Sequence, residues 1–453
     1  MNMGGASSSA EFLSQLCRAV LNPAIASNSE TRRLISRSIA DTLAVAAAGF
    51  PEEATRNTIK AYGGNGPRAW SGEPCESLEA SILVNGVAAH ALDFDDVYIE
   101  SMAHISTVLL PTVLRDGTTD PDTVIAAFAA GLVAARAVAR RIGRGHYNKG
   151  WHGTGTIGAF AAAAAAGRLE GLDEYKMANA FALAASMSGG LQVNFSTQAK
   201  PAHAGFAAVA GTRAARLAKA GMTGSREIFG PRGYPSLYGA GDGEAALDLE
   251  AFALRPDLIS LKLYPCCYAA HRMIGLALDA RSTVGGRIFD PVLRFRLIVP
   301  AGSVDILTYD RPENGLQAKF SRTYPVAVAL LNGTPTLADF TDEAVHRPEV
   351  IDLIERIEVI EDHTQPSGGK IEFGSGELLI ITPSGENIRF VRSAIPGSPD
   401  DPPSPPSLRD KIVGCLAVFE DWSGVPFPAL EHVSGLGLET WLPSISREDT
   451  LEI

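Results

Sequence analysis

Over roughly the first 250 positions, apolar residues recur at three- and four-residue intervals, the spacing of helices that bury one face. Glu11 to Leu21 follows this pattern and stops before Pro23. Ser29 is placed to cap a long helix whose Leu34, Ile35, Ile39, Leu43 and Ala47 share a face. A third helix begins near Pro51, RAWSGE at 68–73 reads as a loop excursion, and helix resumes at Ser77. HISTVLLPTVLRDG, PDTVIAAFAAGLVAARAVARRIG, GTIGAFAAAAAAGRLEG and DEYKMANAFALAASMSGG follow, each ending at or near glycine. Their faces are rich in Ala and Gly, which lets helices approach closely.

Near Leu258 the period shortens. LISLKLYP, PVLRFRLIVP, KIEFGSGELLIITP and ENIRFVRSA have the alternation and β-branched content of strands, with PSGE as a turn between the last two. FSRTYPVAVALLNG and HRPEVIDLIERI read as helices among them. The pattern predicts a large all-helical domain, residues 1–265 plus 400–453, and a smaller α+β domain with an antiparallel sheet, residues 266–399. The Pro-rich IPGSPDDPPSPPS closes the second domain, and the helix SLRDKIVGCLAVFEDW returns the chain to the first. A disordered tail of about eight residues precedes the first helix.

Composition narrows the partners. A chain of 453 residues is long enough for two domains. Its net charge of −12, with 39 Lys and Arg against 51 Asp and Glu, argues against nucleic acid but allows a basic pocket for a small anion. Five scattered cysteines, Cys17, Cys75, Cys266, Cys267 and Cys415, read as reduced thiols. MNMGGASSSAEF lacks the features of a signal peptide, and the Ala-rich runs fall short of the ~20 apolar residues a bilayer span needs. The expectation is a cytoplasmic protein with no membrane partner.

ALDFDDVYIESMAH, residues 91–104, concentrates Asp93, Asp95 and Asp96 behind an apolar helix and then supplies Glu100 and His104. Buried carboxylates need partners, so such a cluster marks either the wall of a site or an acidic helix end in solvent. Of nine histidines, His90, His104, His146, His152, His203 and His271 lie between this stretch and the start of the second domain. GHYNKGWHGTGTIG places Tyr147, Lys149 and His152 ahead of a helix, whose N-terminus suits a carboxylate; no strand precedes its glycines, so it is no dinucleotide motif. NFSTQAKPAHAG brings Lys200 and His203 to another helix start, with Pro201 suited to its first turn. In KLYPCCYAAHRMIG, Cys267 and His271 would share a helix face if helix begins there. No GxSxG elbow is present, and Asp93, Asp95 and His104 fit no standard metal spacing.

Taken in order, LDFDD, GWHGTGTIG, KPAHAG, LYPCC with His271, and KFSRTYPVAVALLNG resemble the MmgE/PrpD family from Glu11 to the last helix. The resemblance implies a helical domain built from both chain ends, an α+β domain, a cleft between them, a homodimer, no cofactor or metal, and a small di- or tricarboxylate substrate. It implies site residues at Asp93, His104, Tyr147, His152, Lys200, Cys266, His271 and Tyr324. In that scheme Lys200 and His152 bind and polarise a carboxylate, and Asp93 orients His104. Tyr147, Cys266 and His271 form a second acid/base face, Tyr324 binds substrate, and Asp95 and Asp96 hold the loop or face solvent. Lyase branches usually read DDT followed by HPS, whereas this chain has Asp96-Val97 and His104-Ile105-Ser106. The leading expectation is therefore an epimerase of a dicarboxylate such as iminodisuccinate. A dehydratase- or decarboxylase-like lyase is the alternative, and an inactive scaffold is the second.

Overall fold

The computed structural model describes residues 9–115, 120–244, 254–368, 370–384 and 387–441. The tail expected at the N-terminus and half of the PSGE turn lie outside these residues. The chain divides into two compact units, one of Met1–Asn194, Gln198–Ser260 and Ser404–Ile453, the other of Phe195–Thr197 and Leu261–Pro403.

The first unit is helical. Its long helices are Ser9–Leu21, Ser29–Gly49, Leu78–His90, Pro121–Ile142, Gly153–Leu169, Glu174–Met187, Ala199–Lys219 and Pro405–Ser423. Polar residues start them where the sequence supplies a side-chain oxygen: Asn28, Ser77, Asp120 and Asp173 each accept from a backbone N–H in the first turn. Ser29, expected as a cap, is the first helical residue instead. Pro121–Ile142 is long and apolar enough to cross a membrane by composition, and 83% of its most apolar window is buried inside the fold. The excursion near residue 70 is the connection of a small antiparallel ribbon, Gly63–Arg68 with Pro74–Cys75. LISLKLYP contributes only Ile259–Ser260, which pairs with Val97–Tyr98 and so anchors the acidic stretch.

Close helix packing sets the position of the site. A Cβ built on Gly86 would lie 2.6 Å from Gly205 Cα, and one on Gly205 would lie 2.6 Å from the Leu83 carbonyl oxygen. The helices Leu78–His90 and Ala199–Lys219 therefore touch backbone to backbone, which only glycine permits. Gly86 lies one turn before His90, and Gly205 about one turn after Lys200, so this contact carries the end of one helix to the beginning of the other.

The second unit holds a four-stranded sheet in the order Ile357–Asp362, Arg294–Pro300, Gly376–Ile381, Asn387–Arg392. The last three are antiparallel, while Ile357–Asp362 runs parallel to Arg294–Pro300. That strand falls partly where the sequence predicted helix. The helix ends at Ile354, and IEVIED then alternates buried and more exposed positions as an edge strand does. Phe295, Leu297, Val299, Leu378 and Ile380 form the buried side and belong to a core shared with Met273, Ile274, Val326 and Leu330.

The returning C-terminal helix is held by a buried ion pair. Lys411 Nζ lies 2.6 Å from Asp41 Oδ1 and donates to the Phe94 carbonyl at 2.8 Å, so one ammonium joins two helices to the acidic loop. Removing one partner of a buried pair strands the other charge, so Lys411→Met should lower stability by about 3–5 kcal/mol in urea titration. Adding Asp41→Leu should recover most of that loss. A single variant that unfolds at the wild-type urea concentration would refute this account of the clamp.

Candidate active site

After His90 the chain leaves its helix, and its next carboxylates have three different environments. Asp93 adopts a left-handed backbone, φ 51°, a conformation Asp tolerates better than most residues. Its Oδ1 accepts from Lys200 Nζ at 2.7 Å, and both side chains are only 5% exposed. Asp95 is wholly buried between two imidazoles, with Oδ1 2.9 Å from His90 Nδ1 and Oδ2 2.7 Å from His104 Nδ1. Burial disfavours its charge, but His90 and His104 hold its carboxyl well below the usual range. Asp96 meets no cation so closely: burial pushes it up to about 8 although Ser106 Oγ donates to Oδ2 at 2.5 Å. Asp95 and Asp96 thus do not face solvent, because the helix end and the following turn enclose both.

The Nδ1 edge of His104 is held at the Asp96 carbonyl and beside Asp95, while Asp93 lies at the other ring nitrogen. Nδ1 faces two acceptors, the Asp96 carbonyl at 2.9 Å and Asp95 Oδ2 at 2.7 Å. Nδ1 must therefore carry the proton of the neutral ring, with the lone pair on Nε2. Nε2 stands 3.8 Å from Asp93 Oδ1, the oxygen that also contacts Lys200. The His104 side chain is 12% exposed, whereas that of His90 is fully buried. A carboxylate beside an imidazole in this order is the arrangement of a general acid/base.

His152 is placed beside this group with its ring facing protein. Nδ1 lies 2.9 Å from His203 Nδ1, and Nε2 lies 2.9 Å from Thr154 Oγ1. Both ring nitrogens thus have protein partners. Burial, reinforced by Lys200 and the neighbouring imidazoles, holds His152 far below its ordinary pKa. Burial likewise pushes His90, His146 and His203 down to about 4.

The remaining predicted residues have other surroundings. Tyr147 is half-buried on the single turn Gly145–Asn148, and its carbonyl accepts from the Gln192 amide at 2.7 Å. In the second unit Cys266 and Cys267 are buried free thiols. Helix begins only at His271, so Cys267 precedes it and does not share a helix face with that imidazole. His271 is fully buried between the rings of Tyr264 and Tyr268, centroids 4.9 and 5.2 Å away. Tyr324 is fully buried and its hydroxyl donates to the Asp339 carbonyl. Its ring packs against that of Phe340, centroids 5.8 Å apart, in the core of the second unit. His90, Asp95, Thr154 and His203 join the site without having been assigned to it. The visible signals were His203 three positions after Lys200 and Asp95 five after His90.

His90, Asp93, Asp95 and His104 each bring a donor atom within 4.8 Å of the others, as do His90, His104 and His152. Within this cluster Asp95 Oδ1 faces His90 Nδ1 at 2.9 Å, and Asp93 Oδ1 lies 2.7 Å from Lys200 Nζ.

Residues 14–242 match the model of the MmgE/PrpD N-terminal domain, and residues 264–422 match that of the MmgE/PrpD C-terminal domain. The chain belongs to the MmgE/PrpD family. Among curated proteins it is similar to cis-aconitate decarboxylase of Mus musculus, 26% identical over 84% of this chain and 81% of the relative. The Homo sapiens cis-aconitate decarboxylase is 27% identical over 73% of each chain, and that of Aspergillus terreus 26% over 70% and 72%. These MmgE/PrpD relatives are enzymes, and lyases by name.

The buried groups give stability a definite pH dependence. Between about pH 4 and 6.5 the unfolded chain protonates His90, His146 and His203, which burial keeps neutral in the fold, so stability falls as pH drops through that window. Asp96 has the opposite sign: its raised pKa contributes stability that is present below 3.8 and lost as pH rises toward 8. Melting temperature should therefore peak at about pH 6.5 and decline on both sides. Asp96→Asn should shallow the alkaline decline, and a wild-type melting temperature still rising at about pH 8 would contradict the assignment.

Proposed function

We propose that this MmgE/PrpD enzyme is a lyase that decarboxylates a small unsaturated tricarboxylate of the cis-aconitate type, using His104 as the proton carrier. The observation that carries this reading is the His104 geometry: Nδ1 held by Asp95 and the Asp96 carbonyl, Nε2 beside the Asp93–Lys200 pair. The decarboxylase names of its relatives support it.

The reaction needs two services from protein side chains. When the carbon–carbon bond to the departing carboxylate breaks, its electron pair remains on the substrate and spreads toward a neighbouring carboxylate. Lys200, only 5% exposed on its side chain, places an ammonium in a dry setting where it stabilises that developing charge strongly. His104, protonated at Nε2, then delivers a proton to carbon, and carbon dioxide leaves. Asp95 stabilises the imidazolium before transfer and retains the Nδ1 proton afterwards, so the ring stays oriented.

The second reading is the epimerase expected from sequence. Val97 favours it: this residue stands where lyase branches have Thr, is buried on the short Val97–Tyr98 strand, and offers no hydroxyl near the acidic loop. Inversion requires only that a proton leave one face of a carbon and return on the other.

Proton NMR in deuterated water separates the two. With cis-aconitate, the lyase reading predicts loss of one carboxyl group as carbon dioxide and one solvent deuterium on carbon in the product. Deuterium entry with inversion of an amino- or iminodicarboxylate, and no carbon dioxide, would overturn it in favour of the epimerase. In whichever reaction is seen, Lys200→Ala and His104→Gln should lower kcat/KM by about 10²- to 10⁴-fold.

A further inference from the structure

We propose that His203 is a positioning residue that, with Thr154, locks His152 in its Nδ1–H tautomer and through that chain fixes the backbone of His104. It deepens the proposed function, because its kinetic consequence rests on His104 as the proton carrier, whereas its structural content does not.

The direction of the chain follows from counting hydrogens. The backbone N–H of His104 donates to Thr154 Oγ1 at 3.0 Å. Thr154 is fully buried, and His152 Nε2 is the second described partner of its hydroxyl, at 2.9 Å. If Nε2 carried the imidazole proton, the Thr154 oxygen would accept twice and its own hydrogen would have no acceptor, an arrangement that buried groups avoid. The hydroxyl therefore donates to Nε2, and His152 holds its proton on Nδ1. That N–H points at His203 Nδ1, 2.9 Å away, which must accept and so places the His203 proton on Nε2.

Backbone packing holds both rings in this register. The Gly190 carbonyl accepts from the His152 N–H at 3.0 Å. A Cβ built on Gly190 would lie 3.3 Å from His203 Cγ, so the glycine lies against the edge of that ring, and its own φ of 139° disfavours a larger residue. Neutral imidazoles suit the surroundings, because burial and the nearby Lys200 both oppose charge on His152 and His203. The ordered path is His203 Nδ1, His152, Thr154 hydroxyl, and the amide of His104, whose residue precedes the helix Ile105–Val113. Two neutral rings thus brace the acid/base residue without adding charge beside it.

The test is ¹⁵N NMR of protein labelled at histidine, with His152 assigned by comparison with His152→Gln. The wild type should show a protonated Nδ1 and an unprotonated Nε2 for His152; the reverse pattern would overturn the proposal by itself, with no variant needed and whatever reaction the enzyme catalyses. His203→Leu removes the acceptor and should shift His152 toward the Nε2–H form, while lowering kcat about 10- to 100-fold with KM little changed. His203→Asn returns an acceptor oxygen near the same place and should restore both the tautomer and most of kcat. A His203→Leu protein with the wild-type tautomer or wild-type kcat would overturn the positioning role. A tautomer shift in a protein inactive on every polycarboxylate would leave the chain standing and instead count against the proposed reaction.

Discussion

The carboxylate of Asp95, fully buried between two imidazoles, is the constraint around which the first unit is built. An ionised carboxylate removed from water costs several kcal/mol unless donors replace the lost hydration. Here one donor ends the helix Leu78–His90 and the other precedes the helix Ile105–Val113, so both helix ends must be in place before the charge is tolerable. The glycine contact between Leu78–His90 and Ala199–Lys219 and the Lys411 clamp on the Phe94 carbonyl place the intervening loop. Packing and site geometry are therefore the same problem at this point: whatever loosens these helix ends also loosens His104.

Three aspartates within four residues have three different surroundings because their partners differ. Asp93 has an ammonium, Asp95 is hydrogen-bonded to His90 and stands 2.7 Å from His104 Nδ1, and Asp96 has a serine hydroxyl and a place among other carboxylates. Proximity in sequence did not imply similarity of role. Lys200 sits among imidazoles that burial keeps neutral, so its charge is answered by Asp93 rather than diluted by further cations. A substrate carboxylate arriving at Lys200 would share that cation with Asp93, which ties substrate binding to the oxygen that His104 Nε2 also faces.

Much of this was legible in the chain. The helical period gave the first unit its helices, and β-branched alternation gave three strands of the sheet. Ile357–Asp362 was missed because it follows a helix with only Glu355 and Arg356 between, so the apolar spacing of one ran into that of the other. At the site, Asp93, His104 and Lys200 were visible as charged groups interrupting apolar helices, and the structure brings them into contact. Asp95 was undervalued because its partner His90 looked like one more residue of an apolar helix; five residues of separation meet only when the helix ends between them. His152 was seen, but the partners that occupy its two nitrogens, Thr154 and His203, belong to two different helices and leave no common spacing. The burial of Tyr324 and its hydroxyl bond to the Asp339 carbonyl were not legible, because that acceptor lies fifteen residues away in a different element.

The Asp96 carbonyl and the Asp95 carboxylate together face Nδ1 of His104, and of the two only Asp95 brings charge to that side of the ring. Asp95→Asn tests the importance of that charge most directly, since the amide keeps the shape but removes the charge and can present a donor to Nδ1. The account predicts a fall in kcat of about 10²- to 10⁴-fold with KM nearly unchanged, measured on the substrate that the wild type turns over. An Asp95→Asn enzyme that retains the wild-type kcat would contradict it.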